Sequence, residues 1–93
     1  MLTLDATLHV PAHVLHTTVE QDAVLLSTLT NKYYSLNEVG ARFWDLLVEG
    51  KTLREAHRAL LGEFEVESSQ LEQDLLELIE HLQENGLIEI TEA

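Results

Sequence analysis

The spacing of apolar residues changes near residue 37, and this change limits the fold of the chain more than any other feature. Residues 8–36 are rich in valine, threonine, leucine and tyrosine with short polar breaks, which is typical of β-strands. Residues 37–85 are rich in leucine, glutamate, alanine and glutamine at helical spacing. Because strands precede helices within only 93 residues, the pattern predicts one α+β domain over residues 1–93, with a core over about residues 14–90.

Three strands are predicted in the first half: Val14–Val19, Ala23–Thr28 and Lys32–Leu36. Pro11 excludes a helix at the start of this half, because proline lacks an amide proton and clashes inside a helix. The loops between the strands are short, which indicates an antiparallel meander. Alternation along the third strand places the side chains of Tyr34 and Leu36 on one face. Those of Tyr33 and Ser35 then lie on the other face.

Three helices are predicted in the second half, from Asn37 to about Val48, from Thr52 to about Gly62, and from Ser69 to about Asn85. Asn37 is a preferred cap for the first helix. Thr52 with Glu55, and Ser69 with Glu72, have the spacing of capping boxes. Residues 87–90 form a short closing strand or an extended tail. Since a three-stranded meander is marginal alone, we expect the helices to cover one of its faces.

Acidic residues are concentrated in the last third of the chain. The formal net charge is −12, and residues 63–93 contain ten acidic residues but no lysine or arginine. Nucleic acids and anionic membrane surfaces bind clustered basic residues, so we expect neither as a partner. No apolar run approaches the length of a membrane span, and the first five residues lack the features of a secretory signal. A cytoplasmic protein is therefore expected.

The histidines are the first candidates for a metal site, because His9, His13 and His16 lie close together in the sequence. The proline between the first two breaks the helix on which they would share a face. On a strand, the last two point to opposite faces, whereas metal ligands must converge. We therefore expect surface histidines and no metal site, and we expect His57 and His81 to face solvent from their helices.

The sequence also lacks the common patterns of catalysis. It contains no cysteine, no Gly-x-Ser-x-Gly turn and no glycine-rich phosphate loop. Carboxylates are abundant in the third helix, but acid–base catalysis needs a pocket that separates their pKa values, and no pattern marks one. We expect no enzyme activity and no cofactor.

The third strand and the third helix together suggest a binding site. The last strand of a meander has an unpaired edge, to which a peptide can add as a further strand. The apolar arc of the third helix is wider than one packing seam requires. It consists of Leu71, Leu75, Leu76, Leu78, Ile79 and Leu82. The acidic side chains around this arc would attract a basic, partly apolar peptide, although a solvated helix face explains many of them equally well.

Three segments of the chain resemble the PqqD-like family, the precursor-recognition domains of ribosomal peptide natural-product biosynthesis. Residues 25–47 contain a strand ending in Tyr-Tyr-x-Leu-Asn that enters a helix with Gly-x-x-x-Trp. Residues 49–53 form the Glu-Gly-Lys-Thr-Leu loop into the second helix. Residues 74–87 begin with Asp-Leu-Leu and end with Asn-Gly-Leu. In order and spacing, these segments make a fairly specific signature between Val24 and Leu87.

The resemblance implies a three-stranded antiparallel sheet followed by three helices, similar to winged helix-turn-helix domains. It implies no catalysis. Members bind the leader of a precursor peptide as a strand beside their third strand and third helix, and present it to separate enzymes. The free-standing lasso-peptide type, with a leader peptidase and a cyclase as partners, fits this length. Peptide chaperones of pyrroloquinoline quinone or other modified-peptide pathways, a general protein–protein adaptor, and a DNA-binding winged-helix regulator are the alternatives.

The resemblance also implies which residues bind the leader. On the third strand they are Lys32, Tyr33, Tyr34, Ser35 and Leu36. On the third helix they are drawn from Leu71, Glu72, Asp74, Leu75, Leu78 and Ile79. Because that helix must also pack on the core, the sequence leaves open which of its residues face the peptide.

Overall fold

The computed structural model describes residues 4–91. Residues 1–3, which belong to the segment considered as a secretory signal, and residues 92–93 lie outside the described residues. The elements in chain order are β1 (Thr7–His9), β2 (Val14–Val19), β3 (Asp22–Ser27), β4 (Tyr33–Leu36), α1 (Glu38–Val48), α2 (Leu53–Glu63), α3 (Ser68–Glu84) and β5 (Glu89–Thr91). A three-stranded antiparallel sheet and three helices confirm the predicted α+β class.

The main sheet has the strand order β2-β3-β4, so β3 is central and β4 lies at an edge. Leu25 of β3 is opposite His16 on β2 and Tyr34 on β4. Alternate residues of β3 are buried, which identifies the face that the helices cover. The turns on either side of β3 contain left-handed residues, Glu20 at φ 59° and Asn31 at φ 59°.

The local capping signals predicted two helix starts correctly and the third incorrectly. Asn37 Oδ1 accepts a hydrogen bond from the Gly40 amide at 2.9 Å. The Thr52–Glu55 capping box is present, with reciprocal bonds of 2.9 and 3.1 Å. The predicted capping box at Ser69 is wrong, because α3 begins at Ser68 and Ser69 lies inside its first turn. The Ser69 hydroxyl donates instead to the Glu67 carboxylate at 2.6 Å.

The core lies between the inner face of the sheet and the three helices. Its largest fully buried side chains are Trp44, Phe43, Leu25, Leu53, Leu60, Leu75, Ile79 and Leu82. A second, two-stranded sheet forms where β1 pairs with β5. The structure therefore has a closing strand at Glu89–Thr91, one of the two predicted alternatives, and adds a strand before Pro11 that the sequence did not predict.

Two histidines tie distant segments together. His57 was expected to face solvent, but it is only 7% exposed and its Nε2 donates to the Ser68 carbonyl at 3.0 Å. This bond joins α2 to the start of α3 and explains why the prediction was wrong. His13 Nε2 donates to the Gly86 carbonyl at 3.0 Å, which joins the start of β2 to the end of α3.

The described residues also bear on metal binding and membrane insertion. Across residues 4–91, no three histidine, aspartate or glutamate side chains are arranged to hold a metal ion. In the same part of the chain, each helix is too short or too polar to span a bilayer.

Candidate functional site

The outer edge of β4 carries backbone groups that no strand pairs with in the described part of the chain. The Ser27 amide donates to the Lys32 carbonyl at 3.1 Å, so the backbone of Lys32 faces β3. Because this direction alternates along an antiparallel strand, Tyr34 and Leu36 also turn their backbone groups toward β3. The N–H and C=O groups of Tyr33 and Ser35 therefore point outward, where another strand can pair with them.

The side chains of β4 alternate as predicted. Tyr34 is half-buried and Leu36 is buried, and both lie on the face covered by the helices. Tyr33 is 73% exposed and Ser35 is exposed, on the opposite face. A strand added at this edge would therefore place alternate side chains toward α3 and toward the open face of the sheet.

A cleft of about 320 Å³ lies beside this edge, between β4 and the first half of α3. Its walls are Tyr34, Ser35, Leu36, Asn37, Val39, Gly40, Val66, Leu71, Asp74, Leu75 and Leu78. Most of these side chains are apolar, and Asp74 is the charged member of the set. The cleft can thus hold an apolar side chain with a cationic group beside it.

The cleft brings together seven of the residues that the family resemblance implied: Tyr34, Ser35, Leu36, Leu71, Asp74, Leu75 and Leu78. Lys32 and Tyr33 line a neighbouring hollow that also contains Tyr34. Glu72 is exposed on α3 but lines neither space. Ile79 is fully buried in the core and also lines neither.

Sequence reasoning missed four residues of the cleft wall: Asn37, Val39, Gly40 and Val66. The first three follow β4 directly, so the junction of strand and helix was the available signal. Gly40 allows a close approach there, since a Cβ atom at this position would lie 3.3 Å from Leu36 Cβ. Val66 lies in the irregular segment before α3, where the sequence carries no comparable signal.

The helix α3 serves both the core and the cleft. Leu71 and Leu75 are almost fully buried yet form part of the cleft wall, whereas Leu78 is half-buried. Asp74 accepts a hydrogen bond from Gln70 Nε2 at 2.8 Å, one turn earlier on the same helix. The other acidic residues of α3 are Glu72, Glu77, Glu80 and Glu84, all exposed. Apart from Asp74, the α3 side of the cleft is therefore apolar, and it lies within a negative field.

Comparison with known proteins identifies the family. The family model described as coenzyme PQQ synthesis protein D (PqqD) matches residues 22–88. The chain belongs to the PqqD family. The matched segment contains β3, β4 and all three helices, and so both walls of the cleft.

Two solved structures are similar to this PqqD-family chain. One is TbiB1 in complex with the TbiA(beta) leader peptide, with 32% identity, a TM-score of 0.82, and coverage of 87% of this chain and 94% of that chain. The other is lasso peptide synthetase B1 complexed with the leader peptide, with 25% identity, a TM-score of 0.80, and coverage of 89% and 98%. A search of curated proteins found no match.

Proposed function

We propose that this protein binds the leader of a ribosomally made precursor peptide in lasso-peptide biosynthesis, without catalysing a reaction itself. The observation that carries the proposal is the edge of β4, which no strand of residues 4–91 pairs with and which lies beside an apolar cleft. Both similar structures are described as complexes with a leader peptide, which supports the same role here.

In this proposal the leader adds to the sheet as a strand beside β4. The outward N–H and C=O groups of Tyr33 and Ser35 supply up to four hydrogen bonds, each contributing about 0.5–1.5 kcal/mol net. Such main-chain bonds do not depend on the sequence of the peptide. Selectivity would come from apolar leader side chains in the cleft, against Leu71, Leu75 and Leu78, and from a basic residue near Asp74.

The partners that follow from this role are a leader peptidase and a cyclase, which would act on the peptide while it is held. The protein itself would act as an adaptor in the cytoplasm. The residues Glu72 and Ile79, which the resemblance also implied as leader contacts, lie apart from the cleft, since Ile79 is fully buried and Glu72 lies outside the cleft wall.

The family description names coenzyme PQQ synthesis, so a second pathway has support of its own. One of the two similar structures, at 25% identity, is a lasso peptide synthetase B1, which favours the lasso pathway. Tighter binding of a leader from the coenzyme PQQ pathway than of a lasso leader would assign the protein to the other branch.

The decisive experiment removes one outward amide from β4. Ser35→Pro deletes an N–H that points away from β3, so the sheet keeps its internal hydrogen bonds. Titration calorimetry measures the change in affinity. Its ligands are the TbiA(beta) leader peptide and peptides selected from a displayed library for binding to the wild-type protein. We expect the affinity to fall at least about tenfold, because a main-chain bond is lost and the added strand clashes with the ring.

Thr18→Pro is the matched control, because Thr18 lies on β2 and its amide points outward from the opposite edge of the sheet. The Thr28 amide donates to the His13 carbonyl at 2.9 Å, which sets this alternation along β2. We expect unchanged affinity for this variant. Equal affinity of Ser35→Pro and wild type, with both folded by circular dichroism, would rule out strand addition at β4.

A further inference from the structure

The space beside β4 continues beyond the end of the strand. At Tyr34 the cleft meets a second hollow of about 330 Å³, walled by Lys32, Tyr33 and the end of α3. A third hollow of about 520 Å³ adjoins the second one. These two share the residues Ser27, Thr30, Asn85 and Gly86. We call the third one the hairpin hollow, because it lies between the β3–β4 turn (residues 28–32) and the segment 85–90 that leads into β5.

The hairpin hollow is held in shape by bonds between segments that are far apart in the sequence. His13 Nε2 donates to the Gly86 carbonyl at 3.0 Å. The backbone amide and the hydroxyl of Thr28 both donate to the His13 carbonyl, at 2.9 and 3.0 Å. His13 therefore joins the β3–β4 turn to the end of α3. Since both walls are fixed in this way, a ligand would not have to order them.

The wall of this hollow contains an apolar side chain in an unusual place. Leu29 is 74% exposed, the highest exposure among the large apolar side chains of residues 4–91. Polar residues and glycine dominate turns, so an exposed leucine there needs an explanation. Ile90 is half-buried and Pro11 is buried in the same wall. Leu29 and the exposed part of Ile90 therefore offer an apolar contact that residues 4–91 leave uncovered.

Strand addition at β4 is short. The strand has four residues, and only Tyr33 and Ser35 turn their backbone groups outward. At about 3.3 Å per residue, the paired part of a leader would span only about 13 Å. A flexible peptide loses conformational entropy on binding, so contacts outside this short ladder are needed for tight and selective recognition.

We propose that the leader extends past the Lys32 end of β4 and that a segment outside the added strand lies in the hairpin hollow, with an apolar side chain against Leu29 and Ile90. This inference rests on the proposed function. The occupant is the same peptide, because neighbouring spaces share wall residues: the cleft and the second hollow share Tyr34, and the second hollow and the hairpin hollow share Asn85. Glu89 in the wall of the hairpin hollow, and Glu84 in the wall of the second hollow, favour a basic residue beside the apolar one.

The test uses peptides of about 20 residues, selected from a random library displayed on yeast. At roughly 3.3 Å per extended residue, they exceed the longest dimension of the protein, 35 Å. The peptides that bind most tightly are then shortened from each end. Shortening stops at the smallest segment whose affinity is still lowered by Ser35→Pro. Each full and shortened peptide is then titrated against the wild type, Leu29→Ser and Val48→Ser. Val48 is the matched control, because it is 53% exposed and lines none of the three spaces.

We expect shortening at one end to lower the affinity about tenfold for the wild type and for Val48→Ser. For Leu29→Ser, the same shortening should lower the affinity less than about twofold, because the substitution has already removed the contact between that segment and Leu29. The inference is overturned if the shortened peptide binds the wild type as tightly as the full one. It is equally overturned if shortening costs the same factor in Leu29→Ser. If Ser35→Pro binds every selected peptide as the wild type does, the proposed function itself fails.

Discussion

The two edges of the main sheet are both open in the described part of the chain, yet their surroundings differ. Beside β4 lies the cleft of about 320 Å³, with mostly apolar walls. Beside β2 lies a hollow of about 280 Å³, whose walls include Glu20, Glu38, Arg42, Asp45 and Glu63. Arg42 pairs with Glu63 at 2.8 Å, so part of this charge is already satisfied within the protein.

An open strand edge alone is therefore not sufficient for a selective peptide site. Both edges offer main-chain groups, and these alone would bind any extended chain. At β4 the neighbouring helix adds an apolar wall that favours particular side chains, whereas at β2 the neighbouring residues are mostly charged, and Arg42 pairs with Glu63. We therefore expect peptides to bind at β4 and not at β2.

Substitutions in the core beneath the sheet should destabilise both of its edges together. Trp44 is 1% exposed and packs beneath the sheet, with its ring centroid 6.4 Å from that of His16 on β2. Trp44→Ala should lower the free energy of unfolding by about 3–5 kcal/mol, as should Phe43→Ala, because each leaves a large cavity. Urea denaturation measures this loss, and a decrease below about 1 kcal/mol would contradict the packing described here.

The next effect is confined to the β4 edge. Leu78→Ala should weaken leader binding about tenfold, because burying part of a leucine contributes about 1–2 kcal/mol. Leu76→Ala is the matched control, since Leu76 is also half-buried on α3 but does not line the cleft. Titration calorimetry distinguishes them, and equal losses in the two variants would mean that the cleft is not the binding wall.

A smaller effect concerns charge. Asp74→Asn should weaken binding of a basic peptide about two- to fivefold at low salt, as expected for an exposed ion pair. The difference from the wild type should shrink as the salt concentration rises, because ions screen the attraction. Glu80→Gln, on the same helix but outside the cleft, should change binding less. A larger loss in Glu80→Gln would show that the general field of α3, rather than Asp74, attracts the peptide.

The capping box at the start of α2 should have the smallest effect, and changing it should leave both edges of the sheet unchanged. The backbone and side-chain hydrogen bonds with Thr52 hold the pKa of the Glu55 carboxyl below its ordinary value. The ionised Glu55 carboxylate therefore contributes its full stabilisation at a pH above the pKa that it has in the unfolded chain. This contribution is lost as the pH falls through the lower pKa of the folded protein. The difference in Tm between the wild type and Glu55→Ala should accordingly narrow in acid. A difference that stays constant down to acid pH would contradict this origin.

The features that the sequence predicted well are local ones. Alternation at Tyr33–Leu36 and the caps at Asn37 and Thr52 depend on neighbouring residues, so the pattern was sufficient. The burial of His57 depends on the Ser68 carbonyl of another helix, and the β1 strand depends on a partner at the far end of the chain. Neither contact leaves a local signal.

The candidate site was predictable as a pair of elements, but not residue by residue. Leu78 and Ile79 are adjacent and both apolar, yet the first opens to the cleft and the second is buried in the core. A wide apolar arc contains both kinds of residue, and only the packing angle of α3 separates them. The assignment of individual leader contacts stays a prediction that the experiments above address.

The pairing of β1 with β5 has a practical consequence for engineering. Thr7 and Thr91 are direct partners in this ladder, so their Cα atoms lie about 5 Å apart. A linker can therefore connect the segment after β5 to the segment before β1, and new ends can be opened at the exposed turn of Glu20 and Gln21. Such a circular permutant would keep β4, α3 and their cleft in one uninterrupted segment, suitable for insertion into a loop of another protein.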